Sequence, residues 1–179
     1  KECANNTTVR YLRYLKNVLQ YGIANKWISE DPFAGKRFRR TKAERTFLTE
    51  PELQRMMALD LKAFPRIETV RDTFVFCCFT GLAFIDVQTL RRTDISTDAD
   101  GMMWIRKTRE KTDELSVIPL LDVPKAIMQK YENHPVVLSK GVVLPVMSNQ
   151  KVNAYLKELA DLAKIQKHLT SHIGKATCD

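Results

Sequence analysis

The sequence lacks the features that mark membrane, secreted and disordered chains. No apolar run in its 179 residues approaches the roughly 18–20 residues of a membrane span, and the start, KECANNTTVR, has no apolar signal-peptide segment. Four cysteines are too few for a disulfide scaffold, and Cys77 and Cys78 stand inside an apolar run, which is typical of small core residues. A hydrophobic content of 44% is too high for a disordered chain. We therefore expect a globular cytoplasmic protein with no membrane partner.

What the sequence does have is basic charge, and it is unevenly distributed. The net charge is +8, and residues 1–46 hold 11 Lys and Arg against 4 Asp and Glu, whereas residues 47–179 hold 18 against 17. Six basic residues crowd one short stretch: Lys36, Arg37, Arg39, Arg40, Lys42 and Arg45. Such a cluster favours a polyanionic partner such as nucleic acid, because neutralised phosphates release counterions. A solvated basic linker is the alternative.

The first 46 residues are predicted to contain one long helix and a connecting segment. Residues 7–27 have helical periodicity, with an N-cap at Asn5, Asn6 or Thr7 and an apolar face of Leu12, Leu15, Leu19, Ile23 and Trp27. A second face carries Arg10, Arg13 and Lys16. Because one helix cannot bury its own apolar face, residues 1–35 are expected to be the end of a small helical domain. Residues 36–46 would then be a basic interdomain linker.

Residues 47–179 predict a mainly α-helical domain with one small antiparallel sheet. Helices are expected from Thr49 with a capping box at Glu52, from Pro65 to Thr80-Gly81, and at 84–90, 122–132 and 148–163. Residues 102–108 and 115–120 are predicted to form a β-hairpin. Residues 142–146 are expected to be extended, and a last turn begins near Thr170.

Four segments of this region carry a family resemblance. Residues 79–90, FTGLAFIDVQTL, resemble the T-G-L-x-x-x-[ED]-x-x-x-L segment of tyrosine recombinases, the phage-integrase family. Residues 109–120 are similar to the hairpin that carries a catalytic lysine, 149–159 to the helix before the active-site histidine, and 169–175 to the H-x-x-R segment. Residues 27–33 also resemble the end of the family's core-binding domain. The resemblance covers nearly the whole chain and is greatest to integrases of mobile elements in Bacteroides-type bacteria.

The resemblance implies a recombinase catalytic domain at 47–179 and DNA cleavage without metal or other cofactor. In this family a tyrosine attacks the phosphodiester, which leaves a 3′-phosphotyrosyl bond and a free 5′-hydroxyl. Guanidinium, imidazole and ammonium groups stabilise the charge that develops on the phosphate oxygens. The implied function is site-specific recombination for integration or excision of a mobile element.

The resemblance also implies roles for individual residues. Lys111 is the expected general acid, with Lys107 as the second choice and an ordinary exposed hairpin lysine as the alternative. His172 is the expected phosphate contact; an ordinary histidine, or a metal-binding pair with His168, is the alternative. Asp86 is expected to be structural, buttressing a cation or capping a turn.

Three departures from the family pattern limit the resemblance. Ala83 stands where the first arginine belongs, so Arg71 becomes the candidate replacement, with a salt-bridged structural arginine as an equal alternative. Lys175 replaces the arginine of H-x-x-R and so loses its planar fork, and Ala176 stands where many relatives carry a second histidine. All five tyrosines precede His172 at positions that the motif does not use. The chain is therefore expected to be a fragment without the nucleophile, inactive in cleavage.

The expected partner is double-stranded DNA. Contacts to its phosphates are predicted for Arg10 and Arg13 and for the basic cluster 36–45. Full-length copies are expected to be tetrameric on DNA, and this chain monomeric. The alternatives are a non-catalytic DNA-binding protein that keeps a degenerate recombinase scaffold and, third, an unrelated helical protein with a basic tail.

Overall fold

The computed structural model describes residues 3–42, 47–110 and 112–176. The chain divides into two compact units, Lys1–Glu44 and Arg45–Asp179. Within the described residues, no helix combines the length and the apolar character needed to cross a bilayer.

The first unit is built on helix α1, Asn5–Ala24. Its N-cap is Ala4, so the prediction of an asparagine or threonine cap is wrong. The side chains of Asn5 and Asn6 bind elsewhere: Asn5 Nδ2 donates to Thr41 Oγ1 at 2.7 Å, and Asn6 Oδ1 accepts the Thr41 N–H at 2.9 Å. These contacts hold the end of the basic segment against the start of α1.

The packed face of α1 differs from the predicted one. Val9 and Gly22 are buried, whereas Leu15 and Trp27 are 47% and 72% exposed. Trp27 does not share a helix face because α1 ends at Ala24. At Gly22 the helix packs closely on Ile28, since a Cβ there would lie 2.9 Å from Ile28 Cδ1.

The second unit is organised around helix α3, Pro65–Thr80. Helices α2 (Glu50–Met57), α5 (Asp122–Lys130), α7 (Asn149–Leu162) and α8 (Ile173–Ala176) all pack against it. Its side chains are buried around most of its circumference, including Ile67, Val70, Phe74 and the two cysteines, Cys77 and Cys78, that were expected in the core. This burial explains why residues 73–80, the C-terminal half of α3, contain no charged side chain.

Local sequence signals set the ends of these helices. The carboxylate of Glu52 accepts the N–H of Thr49 at 2.8 Å, which confirms the predicted capping box of α2. Pro65 begins α3, and Gly81 ends it with φ of +63°, a left-handed conformation that favours glycine. Helix α4, Phe84–Gln88, begins three residues after Gly81.

The sheet has three antiparallel strands in the order β1 (Ile95–Thr97), β2 (Met103–Thr108) and β3 (Leu115–Pro119). The predicted hairpin is confirmed as β2–β3, with Thr108 opposite Leu115 and Trp104 opposite Pro119. Strand β1 and helix α6 (Pro135–Lys140) were not predicted. The mainly α-helical fold with a small antiparallel sheet is as expected from the sequence.

Candidate functional site

The turn of the β2–β3 hairpin is held to α4 by Asp86. This side chain is only 3% exposed, and its Oδ1 accepts the backbone N–H of Glu110 at 3.0 Å. Thr89 Oγ1 also lies 3.4 Å from Glu110 Oε1. Asp86 therefore caps a backbone N–H of the hairpin turn, which is the structural role expected from its position after T-G-L.

Lys107 makes a second link between the hairpin and α4. Its Nζ donates to the carbonyl of Thr89 at 3.1 Å and lies 3.5 Å from Asp94 Oδ2. The side chain is 13% exposed. Lys107 is thus an ion-paired anchor of strand β2, whereas Lys111, the preferred general acid, lies outside the described residues.

A shallow cleft of about 280 Å³ opens beside this hairpin turn. Its lining is almost entirely polar and charged: Asp94, Arg106, Lys107, Thr108, Arg109, Glu110 and Asp113. Arg109 Nε donates to Ser116 Oγ at 2.7 Å, and Arg106 Nε donates to Ser96 Oγ at 3.1 Å. The guanidinium groups of the hairpin are therefore oriented by serine hydroxyls of the neighbouring strands.

His172 lies in a turn that immediately precedes α8. The N–H of Ile173 donates to the carbonyl of Thr170 at 3.0 Å, and the flanking Leu169 and Ile173 are buried. The imidazole itself is exposed. Lys175 and Ala176 follow within α8, and their side chains fall outside the described part of the chain.

The turn of His172 and the contact between α4 and the hairpin are both connected to helix α3. A Cβ on Gly174 would lie 3.1 Å from Cys77 Cβ and 3.5 Å from Phe74 Cε2, so α8 packs closely on α3. The same helix ends at Gly81, from which α4 and Asp86 continue. Both predicted site segments are therefore attached to the C-terminal half of α3.

Arg71 lies near the middle of α3. Thr80, the last residue of the helix, is nine positions further along, which at 1.5 Å per residue is about 14 Å along the axis. Its Nε donates to Asp72 Oδ1 and its Nη1 to the carbonyl of Leu59, both at 2.8 Å, and Nη2 lies 3.6 Å from Glu68 Oε1. All parts of the guanidinium have a protein partner, which is the arrangement of a structural arginine. Ala83 itself is the N-cap of α4.

Asp72 is the centre of this ionic cluster. It is 5% exposed and accepts hydrogen bonds from Lys130 Nζ at 2.6 Å and Tyr131 OH at 2.8 Å. Burial, together with the negative charge of Asp72, raises the pKa of the Tyr131 phenol far above its ordinary value. A phenol that is buried, protonated and already donating is unsuited to nucleophilic attack.

The predicted DNA contacts are on the surface of the first unit. Lys36, Arg37, Arg39, Arg40 and Lys42 are exposed, as are Arg10 and Arg13 of α1. Arg45 lies outside the described residues. Among the described residues, none of these seven side chains takes part in a salt bridge.

Sequence reasoning missed several polar contacts of the site. Ser171, Asn149 and Asn153 form a hydrogen-bonded group next to His172, and Lys130 reaches Asp72 across 58 residues. In the sequence, the only sign of the hydrogen-bonded group was the spacing of its two asparagines, which lie one helical turn apart. In the described part of the chain, no group of three or more His, Cys, Asp or Glu side chains could hold a metal ion.

No protein-family model matches the sequence, and no similar sequence is found among curated proteins. Solved structures do match the fold. A lambda integrase dimer bound to a COC′ core site superposes with a TM-score of 0.72 at 18% identity, over 92% of this chain and 48% of the integrase chain. The fold is that of the tyrosine-recombinase catalytic domain.

Two further structures extend this likeness. The XerH site-specific recombinase, in a pre-cleavage complex with its difH substrate, matches with a TM-score of 0.58 at 14% identity, over 79% of this chain and 44% of its own. The XerA recombinase matches with a TM-score of 0.53 at 15% identity, over 74% and 48%. This chain spans about half the length of these three proteins.

Proposed function

We propose that this chain is the DNA-binding scaffold and catalytic domain of a site-specific tyrosine recombinase, an integrase that moves a mobile element. The observation that carries the proposal is the pairing of this fold with two fixed segments, the hairpin turn at Glu110 and the turn at His172. In the proposed reaction a tyrosine oxygen attacks the phosphorus atom, the 5′-oxygen leaves, and a 3′-phosphotyrosyl bond forms.

Lys111 and His172 would supply the positive charge and the proton for this step. Lys111 directly follows Glu110 in the sequence, and the backbone N–H of Glu110 is bound by Asp86. An ammonium group there would protonate the leaving 5′-oxygen. The exposed imidazole of His172 would donate a hydrogen bond to a nonbridging phosphate oxygen.

Lys175 would add a cation to the same phosphate, without the bidentate geometry of arginine. Arg71 remains the proposed replacement for the arginine absent at Ala83, but its contacts with Asp72 and Leu59 favour the structural alternative. The catalytic charge of this site is therefore expected to rest mainly on lysine and histidine.

DNA is the proposed partner of the basic surface. Lys36, Arg37, Arg39, Arg40, Lys42 and Arg45 would neutralise backbone phosphates, as would Arg10 and Arg13 of α1. Such contacts position a protein on the duplex without reading its sequence. Full-length copies would assemble as tetramers on DNA, whereas this chain would bind as a monomer.

The five tyrosines of the chain support the proposal that it does not cleave DNA by itself. Tyr11, Tyr14 and Tyr21 lie on α1 in the first unit, and Tyr131 is held by Asp72. Tyr155 is half-buried in the middle of α7. None of these positions corresponds to the family's nucleophile.

A non-catalytic DNA-binding protein is the second candidate function, and Ala83 is the observation that favours it. This residue caps α4 next to Asp86 and carries no charge, and the nearest proposed substitute, Arg71, is bound to other partners. Such a protein would keep the scaffold and the basic surface while lacking strand transfer.

Covalent trapping separates the two functions. The complete gene product would be incubated with fragments of the DNA that surrounds its gene, in the presence of a chelator, and then denatured with detergent. A recombinase gives a protein–DNA adduct that protease removes, and Lys111→Ala and His172→Ala lower its yield while DNA binding persists. Binding with no adduct from the unmodified protein would establish the second function.

A further inference from the structure

The turn that carries His172 is bound from α7 through the preceding residue, Ser171. This serine is 4% exposed, and its N–H donates to Asn153 Oδ1 at 2.9 Å. Its hydroxyl donates to Asn149 Oδ1 at 2.7 Å. Both hydrogen-bonding donors of Ser171 are therefore directed to the same face of α7.

The two asparagines also bind each other. They are four residues apart and so lie on one side of the helix, and Asn153 Nδ2 donates to Asn149 Oδ1 at 3.2 Å. This contact fixes which way the Asn153 amide points, because a flipped amide would place its N–H₂ against the N–H of Ser171. In this orientation each hydrogen bond among Ser171, Asn149 and Asn153 pairs a donor with an acceptor.

An exposed histidine in a turn takes its direction mainly from its backbone. Ser171 and His172 are the two central residues between Thr170 and Ile173. Leu169 and Ile173, on either side, are buried in the core. With Ser171 held by α7, the peptide that leads into His172 has little freedom to rotate, and its Cα–Cβ bond has a set direction.

We propose that Asn149 and Asn153 are positioning residues for His172, which hold the imidazole where it can bind a phosphate oxygen. The inference rests on the proposed function, since it gives His172 that ligand. Neither asparagine needs to contact DNA to act in this way. Small displacements of a catalytic group lower rates strongly, so a loosened turn should weaken cleavage more than it weakens folding.

A double-mutant cycle on the complete gene product tests this inference. Asn153→Leu removes both contacts of the amide at similar volume, and Asn153→Asp keeps an acceptor for the N–H of Ser171. We expect Asn153→Leu to slow adduct formation by about tenfold, close to the effect of removing one transition-state hydrogen bond to a charged group. In the His172→Ala background the same change should have almost no further effect.

The control is Leu159→Ala, which removes a fully buried side chain from the same helix two turns away. Compared at equal folded fraction, this variant should form adduct at the wild-type rate, and Asn153→Asp should be closer to wild type than Asn153→Leu. Chemical shifts of labelled histidine add a readout besides cleavage. The His172 signals should move in Asn153→Leu, while those of His134 should not.

Two results would overturn the inference while leaving the proposed function intact. One is additive loss in the double variant, and the other is an Asn153→Leu protein indistinguishable from Leu159→Ala. If His172→Ala alone forms adduct at the wild-type rate, the role proposed for His172 fails first, and there is no catalytic group for the asparagines to position.

Discussion

The carboxylate of Asp86 accepts the backbone N–H of Glu110 at 3.0 Å, and this contact joins α4 to the hairpin turn that follows β2. Twenty-four residues separate the two partners. Glu110 directly precedes Lys111 in the sequence. A buried side chain of the T-G-L segment, Asp86, therefore binds the backbone of the residue before the expected general acid.

Replacing Asp86 with alanine should therefore loosen the hairpin as well as lower stability. The loss of a charged acceptor next to a backbone N–H is expected to cost about 1–3 kcal/mol in the free energy of unfolding. Denaturant titration measures that cost, and amide exchange at Glu110 reports the local opening. Asp100→Ala, in an exposed loop, is the control. Unchanged exchange at Glu110 in Asp86→Ala would show that the contact does not hold the hairpin.

Arg71→Ala should destabilise the second unit. The change removes two hydrogen bonds and leaves Asp72, 5% exposed, with fewer partners. We expect a loss of about 1–3 kcal/mol, measured by denaturant unfolding. Arg66→Ala, at an exposed position of the same helix, should change stability little. Cleavage by the complete protein decides the role: adduct formation that is lost while DNA affinity and folding are kept would make Arg71 the substitute guanidinium.

Glutamine substitutions at Lys36, Arg37, Arg39, Arg40 and Lys42 should flatten the salt dependence of DNA binding. Each lost phosphate contact is expected to reduce the slope of log K against log salt by about 0.9. Fluorescence anisotropy with a labelled duplex measures the slope. Lys62→Gln and Lys140→Gln, at exposed positions of the second unit, serve as the control. An unchanged slope would contradict the role of the basic segment.

Glu52 should contribute a pH-dependent part of the stability. Burial alone would raise the pKa of this carboxyl, but hydrogen bonds from Lys167 and from the N–H and hydroxyl of Thr49 outweigh it, so the pKa is lowered. A lowered pKa in the folded state stabilises the protein above the unfolded value of about 4.3 and loses this effect as pH falls through the folded value.

The free energy of unfolding should therefore differ between wild type and Glu52→Gln at neutral pH. That difference should shrink as the pH is lowered below about 5. Urea titrations at a series of pH values measure it. Glu50→Gln, in the same first turn of α2 but more exposed, is the matched control. A difference that stays constant from pH 7 to pH 3 would contradict the assignment.

The regular parts of the fold were predictable because local signals and tertiary packing agree there. Thr49 with Glu52, Pro65 and Gly81 mark helix ends in the sequence as they do in the structure. Strand β1 was not predicted because three residues give no period, and α6 because its six residues are shorter than a periodic pattern. In α1, Asn5 and Asn6 bind Thr41 across 36 and 35 residues, so the local capping pattern was misleading.

Of the candidate site, only the segments that match the family's motifs could be predicted from the sequence. The residue types at Asp86 and His172 follow from the motif, whereas the contacts that hold them involve Glu110, Asn149 and Asn153. These partners lie 18–24 residues away in sequence, where no periodicity connects them. The uneven charge balance indicated that the basic residues of the first unit lie on its surface. Seven of the predicted DNA contacts there are exposed.

The central claim is strand transfer through a tyrosine, and the chemical identity of the protein–DNA linkage tests it most directly. Adduct from the complete gene product, formed in chelator, would be digested with protease and nuclease and analysed by mass spectrometry. The account predicts a tyrosine joined to a 3′-phosphate, with a free 5′-hydroxyl on the other DNA end. A serine linkage, a 5′-phosphate linkage or cleavage that requires a divalent metal would contradict it.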